Sequence, residues 1–299
     1  MKDRVPQDDS RDMRAEESGA RAPDAVEREK AHYDEHRRYL LHFLERDGSA
    51  FDRWLIRQTL KTWDRQFAFI DPELVRGRTV VEVGCGNPRV LFLFKQMGAR
   101  RVIGVDLSER FVKRGLSRPR SYVYTYAVEC RPDDVKLLFG DFTGPLGRTL
   151  EADVVACFQS LHHMELAAFV DTCAHILGPG GKVVISDPVG DHPLRWLGNL
   201  VGRAYGLLSP DERAISPKLV ISRFEEAGFE LESFRSLNPA LEIYFHLTEL
   251  LAPVSPALAF YAKLPMAVLR PLEDFLEATL LRLFPRLGWR YYAVFRKVG

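Results

Sequence analysis

A doubly wound α/β fold with a mostly parallel sheet is predicted by three observations. Short apolar runs rich in β-branched residues recur along the 299-residue chain, as strands buried on both faces do. Segments with apolar side chains at helical spacing separate them. The stretch from Thr79 to Ser108, TVVEVGCGNPRVLFLFKQMGARRVIGVDLS, joins strand, two-glycine loop, helix, strand and terminal carboxylate in the order that binds a ribose-bearing cofactor.

Taken in order, residues 1–28 carry many charges and few large apolar side chains, and are expected to form a disordered, in part helical, charged arm. Residues 29–78 are helical in pattern, with Tyr39, Leu40, Phe43 and Leu44 on one side and Trp54, Leu55, Leu60 and Trp63 further on. Thr79 to Val83 is the first strand. Gly84 and Gly86 turn the chain and leave room for a ligand. A helix from Pro88 to Met97 stops at Gly98. Val102 to Val105 is the second strand, ending in Asp106, and Ser108 caps the next helix with Phe111 and Val112 inward. Residues 118–132 are irregular, and their YVYTYAV portion suits either strand or helix. Val135 to Phe139 and Ala152 to Cys157 are strands, leading to Gly140-Asp141-Phe142 and to Phe158-Gln159-Ser160-Leu161-His162-His163-Met164. A helix from Glu165 to Leu177 is stopped by Gly178-Pro179-Gly180-Gly181, and the strand Lys182 to Ser186 reaches Asp187. Helices follow around Trp196 to Tyr205 and over Pro217 to Ala227, then strands at Phe229 to Phe234 and Arg290 to Phe295. Between those strands, residues 239–288 hold three helical runs, Tyr244 to Leu251, Ala257 to Leu264 and Pro271 to Phe284, broken by prolines too often to span a bilayer.

The glycine loop chooses between cofactors. A dinucleotide fingerprint needs a third glycine to pack helix on strand, and Arg89 stands there. Glu82, just ahead of the glycines, would repel a pyrophosphate but can order the loop amides and face an ammonium group. E-V-G-C-G followed by V-I-G-V-D-L-S, with L-G-P-G-G-K-V-V-I-S-D-P further on, resembles the class I S-adenosylmethionine-dependent methyltransferases, and the likeness covers roughly Tyr33 to Arg235.

That resemblance implies a Rossmann-like seven-stranded sheet with helices on both faces, an N-terminal helical lid (29–78), a cofactor-binding core (79–238) and a last strand (289–299); the last two strands of that family usually lie close in sequence, so the helical run 239–288 reads as an insertion. It implies S-adenosyl-L-methionine as cofactor, held by Tyr33, Glu82, Gly84, Cys85, Gly86, Asn87, Asp106, Leu107, Asp141, Phe142, Gln159 and Ser160. Asp106 follows the glycines at about the 20-residue spacing at which an acid takes ribose hydroxyls; its plain alternative is a helix cap. Asp141 would take the adenine amino group, with Phe142 beside the base, and Leu107 would pack on it; a turn aspartate is the alternative. Tyr33, in His32-Tyr33-Asp34, would reach the methionine end, or else anchor a helix.

An oxygen or carbon-acid acceptor needs a base, and His162 and His163 are the candidates, with His192, Tyr244 and His246 weaker ones from the cover region. His162-His163 with Glu165 lacks recognised metal spacing, so no metal is expected. Gln159-Ser160-Leu161-His162 replaces the N/D-P-P-Y/F-type motif of base-amine methyltransferases and disfavours base methylation. Phe245, Phe260, Tyr261 and Met266 would line a greasy pocket and favour a small lipophilic acceptor, unless they are ordinary core. The insertion has three open uses: a substrate cover, a dimer contact or a membrane-surface contact. A nicotinamide oxidoreductase is opposed by Glu82 and the missing glycine; a methyltransferase-fold protein without methyl transfer, cyclase-like or binding, is the other alternative.

Composition bounds the rest. Hydrophobic residues at 46% and charged residues at 28% suit a soluble globular protein, and a net charge of +1 argues against a nucleic-acid partner. Cys85, Cys130, Cys157 and Cys173 form no C-x-x-C pair and are expected to be small core residues. The mixed-charge N-terminus lacks a signal-peptide core, so a cytoplasmic location is expected. Monomer and homodimer are both open.

Overall fold

Strand β1 (Thr79–Val83) is buried along its whole length, because a sheet covered on both faces leaves no solvent side for its valines. It lies between β2 (Arg101–Asp106) and β4 (Ala152–Phe158), parallel to both. The computed structural model describes residues 23–35, 49–86, 88–116, 135–204, 208–209 and 212–299. Within them the sheet has seven strands in the order β3-β2-β1-β4-β5-β7-β6, with β3 Lys136–Phe139, β5 Leu177–Pro188, β6 Phe229–Leu237 and β7 Arg290–Lys297. Only β7 opposes the rest, pairing antiparallel with β5 and β6. The strand order reverses between β1 and β4, which is where an open α/β sheet opens a crevice at its carboxyl ends.

Two apolar layers sandwich the sheet. One gathers Val80, Leu91, Phe94, Val102 and Val154 with the helix α3 (Arg89–Gln96). The other gathers Val81, Ile103, Val155, Phe169 and Phe224 with α5 (Leu166–Ile176) and α7 (Pro217–Glu226). The close approach that a third loop glycine would give is supplied by Gly104 of β2, where an added Cβ would stand 2.7 Å from Leu91 and 2.8 Å from Cys85. Arg89 is thereby free for another task, an ion pair with buried Asp64 at 2.6 Å.

The N-terminal helices are α1 (Pro23–Glu35) and α2 (Ala50–Trp63). α1 begins inside the stretch expected to be the charged arm, and it packs against α4 (Glu109–Leu116). Ser108 caps α4 as expected, its Oγ accepting from the Phe111 amide at 3.0 Å. β5 begins five residues earlier than expected: Gly178–Gly181 end α5 and also form an irregularity in the strand, where pairing jumps from Ala152↔Leu177 to Val154↔Lys182. α6 (Arg195–Ala204) follows β5. The insertion is α8 (Leu241–Glu249), α9 (Pro256–Tyr261) and α10 (Leu264–Ala278). Residues 118–132 with their YVYTYAV portion, the Tyr39–Leu44 group, Asn87, Cys130 and Tyr205 lie outside the described residues.

The insertion does not present the pocket expected of it. Phe245 and Met266 are buried with Leu241, and Phe260 is buried with Leu55, Ile56 and Leu60 of α2. Tyr261 is half exposed, its hydroxyl donating to Asp52 at 3.2 Å. These side chains glue helices to one another, which is the ordinary-core alternative. A buried polar seam roots α8 in the sheet: Arg290, 1% exposed, pairs with Glu242, 2% exposed, and also donates to Gln66, while Asn238 donates to Glu242.

Candidate active site

Every carboxyl end flanking the β1/β4 reversal carries a polar group. At the tip of β1 the chain turns through Gly84 at φ +66° and Gly86 at φ +39°, conformations closed to most side chains. An added Cβ would stand 2.3 Å from Ser160 at Gly84 and 2.9 Å from the Phe111 ring at Gly86. The loop amides are ordered by β2 rather than by Glu82. Gly84 and Cys85 donate to the Val105 carbonyl, and Gly86 donates to Asp106 Oδ2 at 2.8 Å. Glu82 itself is 2% exposed, with Oε2 unpartnered. Burial, and Asp106 nearby, push its pKa well up, against Arg89. Cys85 is buried with its thiol pushed up likewise.

Asp106 ends β2 with both oxygens engaged, Oδ1 by the Ser108 amide at 2.8 Å and Oδ2 by Gly86. Burial raises its pKa to about 6, those two amides pull it down, and Asp34 adds to the rise. Helix α1 supplies that burial. Asp34 accepts from Ser108 Oγ at 2.5 Å, and the Tyr33 ring packs 5.5 Å from Phe111. Leu107 is half-buried beside Asp106. On β3's far end Asp141 accepts from the amide and hydroxyl of Thr143, the turn arrangement foreseen as its alternative, and Phe142 is buried against Phe169.

After β4 the chain makes a tight change of direction. Gln159 sits at φ +57°, a conformation costing a non-glycine residue on the order of 1 kcal/mol or more, and its amide donates to the Ser186 carbonyl at 2.7 Å. Ser160 Oγ donates to the Val83 carbonyl at 2.7 Å, stitching β4's end to β1's. That clamp delivers His162 and His163, rings 4.0 Å apart, to the crevice.

The two histidines have different partners. His162 Nδ1 meets Asp187 Oδ1 at 2.8 Å, and Nε2 faces Glu212 Oε1 at 3.6 Å. Burial lowers its pKa, but Asp187 and Glu212 together outweigh burial and Arg195 and leave it raised. Asp187 is fully buried, its Oδ2 unpartnered. His163 Nδ1 lies 2.7 Å from Glu29 Oε1, and Nε2 hydrogen-bonds the Tyr33 hydroxyl at 2.9 Å. Glu29 also accepts from Ser209 Oγ at 2.8 Å. The structure thus brings together Tyr33, Glu82, Gly84, Gly86, Asp106, Ser160, His162 and His163, and adds Glu29, Asp34, Asp187 and Glu212. Glu29 and Glu212 had no local signal; each lies on a polar stretch and reaches the site only through tertiary folding. His192, Tyr244 and His246 lie apart from the pair. His192 and His246 pack on Trp289, and the Tyr244 hydroxyl donates to the Ala262 carbonyl. Glu165 is spent capping α5 through the amides of Ala167 and Ala168.

A two-glycine cradle between buried carboxyls fits a cationic, hydroxyl-bearing nucleoside: Glu82 has an unpartnered oxygen, and Asp106 is desolvated beside the glycines. Fold and site define a nucleoside-binding α/β enzyme. A family model described as a methyltransferase domain matches residues 52–233, and the chain belongs to that family, the class I S-adenosylmethionine-dependent methyltransferases. A ubiquinone biosynthesis O-methyltransferase from Bordetella avium (strain 197N) is 30% identical over 179 residues, covering 57% of this chain and 70% of that one. One from Pseudomonas paraeruginosa is 27% identical over 205 residues, covering 61% and 84%. Among solved structures, magnesium protoporphyrin IX methyltransferase from Synechocystis PCC 6803 shares the fold with a TM-score of 0.54 at 12% identity, covering 91% of this chain and 99% of that one. A cyclopropane synthase from Mycobacterium tuberculosis does so with 0.54 at 18%, covering 91% and 98%. The chain is a methyltransferase that uses S-adenosylmethionine.

Proposed function

We propose that this enzyme methylates a hydroxyl oxygen of a small acceptor, and that the acceptor lies against His162. The observation that carries this is the buried Asp187–His162 pair at the adjoining tips of β5 and β4. A hydroxyl is a poor nucleophile until its proton is lost, and an imidazole fixed by a carboxylate is suited to assist that loss. S-adenosylmethionine supplies a methyl carbon on a sulfonium, whose bonding pair stays with sulfur as the acceptor oxygen takes the methyl. Asp106 would hold its ribose hydroxyls, Glu82 and Tyr33 its methionine end, Asp141, Phe142 and Leu107 its adenine. Gly84, Cys85, Gly86, Gln159 and Ser160 would shape the floor.

Oxygen is favoured over carbon by the O-methyltransferase names of the relatives, and a lipophilic acceptor by their place in ubiquinone biosynthesis. The apolar support shifts from the insertion to α6, just beyond Asp187, where Trp196, Leu197 and Leu200 are exposed. The test is incubation with methyl-labelled S-adenosylmethionine and a panel of phenols of graded hydrophobicity, products identified by mass and NMR. Methoxy products from the apolar members are expected. Carbon-methylated products, or none despite cofactor binding, would reject the proposal.

A further inference from the structure

Around the two histidines stand three carboxylates, Asp187, Glu29 and Glu212, in a site where the residues are at most part-exposed. Arg195 also acts on His162, but its guanidinium is engaged by the carbonyls of Val189 and Trp289. Among the described residues carboxylates thus outnumber that one guanidinium around the two rings, a setting that favours a further cation.

The arrangement has a second regularity. Asp187 hydrogen-bonds Nδ1 of His162 at 2.8 Å, and Glu29 Oε1 makes an ionic contact with Nδ1 of His163 at 2.7 Å. That is how proteins orient metal-ligating histidines, since the carboxylate fixes the tautomer and makes the opposite nitrogen more basic. One ligand atom each from His162, His163 and Glu212 lie mutually within 4.8 Å. The 3.6 Å between His162 Nε2 and Glu212 Oε1 is near the roughly 3.3 Å that separates ligands about 2.0–2.1 Å from a tetrahedral ion.

We infer that His162, His163 and Glu212 form a binding site for a first-row divalent cation, with at least one coordination position open. Two imidazoles and one carboxylate suit Zn²⁺, Co²⁺, Fe²⁺ or Mn²⁺ and do not suit Mg²⁺ or Ca²⁺, which take oxygen ligands. Asp187 and Glu29 are positioning residues. The Tyr33 hydroxyl, now on His163 Nε2, gives up that nitrogen to the ion. This reverses the expectation of no metal, because Glu212, 49 residues beyond His163, was not visible as a ligand from sequence. The site rests on the O-methyl proposal and deepens it: an acceptor hydroxyl oxygen enters the open position, its pKa falls, and its proton passes to water. His162 then assists proton loss as a ligand.

The test uses the full chain stripped by a chelator, titrated by calorimetry with Co²⁺ and Zn²⁺, the Co²⁺ also followed by visible absorption. One equivalent of Co²⁺, displaced by Zn²⁺, is expected, with no saturable binding of Mg²⁺ or Ca²⁺. Glu212→Gln should weaken Co²⁺ by about tenfold or more, and Asp187→Asn by about 10- to 100-fold. Part-exposed Glu212 decides the matter should Asp187→Asn fail to fold. S-adenosylhomocysteine binding to the same metal-free protein checks the cofactor separately. If it binds and Co²⁺ does not, the metal site is overturned while methyl transfer stands. Co²⁺ uptake indifferent to both Glu212→Gln and His162→Asn overturns it too.

Discussion

The role proposed for Asp106 sets opposed demands: to accept strongly from ribose hydroxyls it would have to be ionised, yet burial under α1 favours its neutral form. With its folded pKa at about 6, above the unfolded carboxylate value, its relative stabilisation is present below about pH 4 and lost as pH rises through 6. Asp106→Asn should therefore stabilise the free protein by about 1 to 3 kcal/mol at pH 8 and have no such effect near pH 4, measured by urea denaturation. The same change should weaken S-adenosylhomocysteine by about 1.5 to 3 kcal/mol at pH 8, and wild-type affinity should rise between pH 5 and 7 while the variant's stays flat. Asp187→Asn is expected to lower kcat by about 100-fold or more with little change in cofactor affinity, because it disturbs the His162 tautomer. Of these residues Asp106 was legible, since spacing from a glycine loop is a local property. Glu212 was not: its place comes from tertiary folding that brings residues 212 and 213 to β4's tip, where Arg213 donates its amide to the His162 carbonyl.

At the scale of elements, α1 is held by polar attachments at Glu29, Tyr33 and Asp34. Tyr33→Phe keeps the packing on Phe111 and loses the bond to His163. It should cost about 0.5 to 1.5 kcal/mol and show first as faster amide exchange in α1. α8 is anchored otherwise. Burial raises the Glu242 pKa, but Arg290 beside it more than reverses this and holds the carboxyl below its usual value. Glu242→Ala leaves Arg290 buried without its partner, and should cost about 3 to 5 kcal/mol in urea denaturation. Strands and helices were legible from periodicity because each buries one face or both. The lining role given to Phe245, Phe260 and Met266 failed for the same reason: an apolar side chain at helical spacing looks alike whether it faces a cavity or a neighbouring helix.

For the whole molecule, the strand order places Glu82, Asp106, His162 and Asp187 at one end of the sheet, so cofactor binding should stabilise the fold as a unit. S-adenosylhomocysteine at 100 times its Kd should add about 2.7 kcal/mol to unfolding free energy, and NADH at equal concentration nothing. Equal stabilisation by NADH would contradict the cofactor assignment. The overall topology was legible because glycine turns and strand-end acids recur in order. The seating of 239–288 was not, since it depends on Arg290, whose partner Glu242 is 48 positions away.

Leu237 and Arg290, where that excursion leaves and rejoins the sheet, are register partners on β6 and β7. Departure and arrival points so close make residues 239–288 an exchangeable cassette, whose replacement leaves the ladder of backbone pairs closed. Glu242 must travel with it, or Arg290 loses its counter-ion. Since Arg290 also pairs with Pro188, next to Asp187, a chimera would tell whether acceptor preference is inherited with the graft or stays with the sheet.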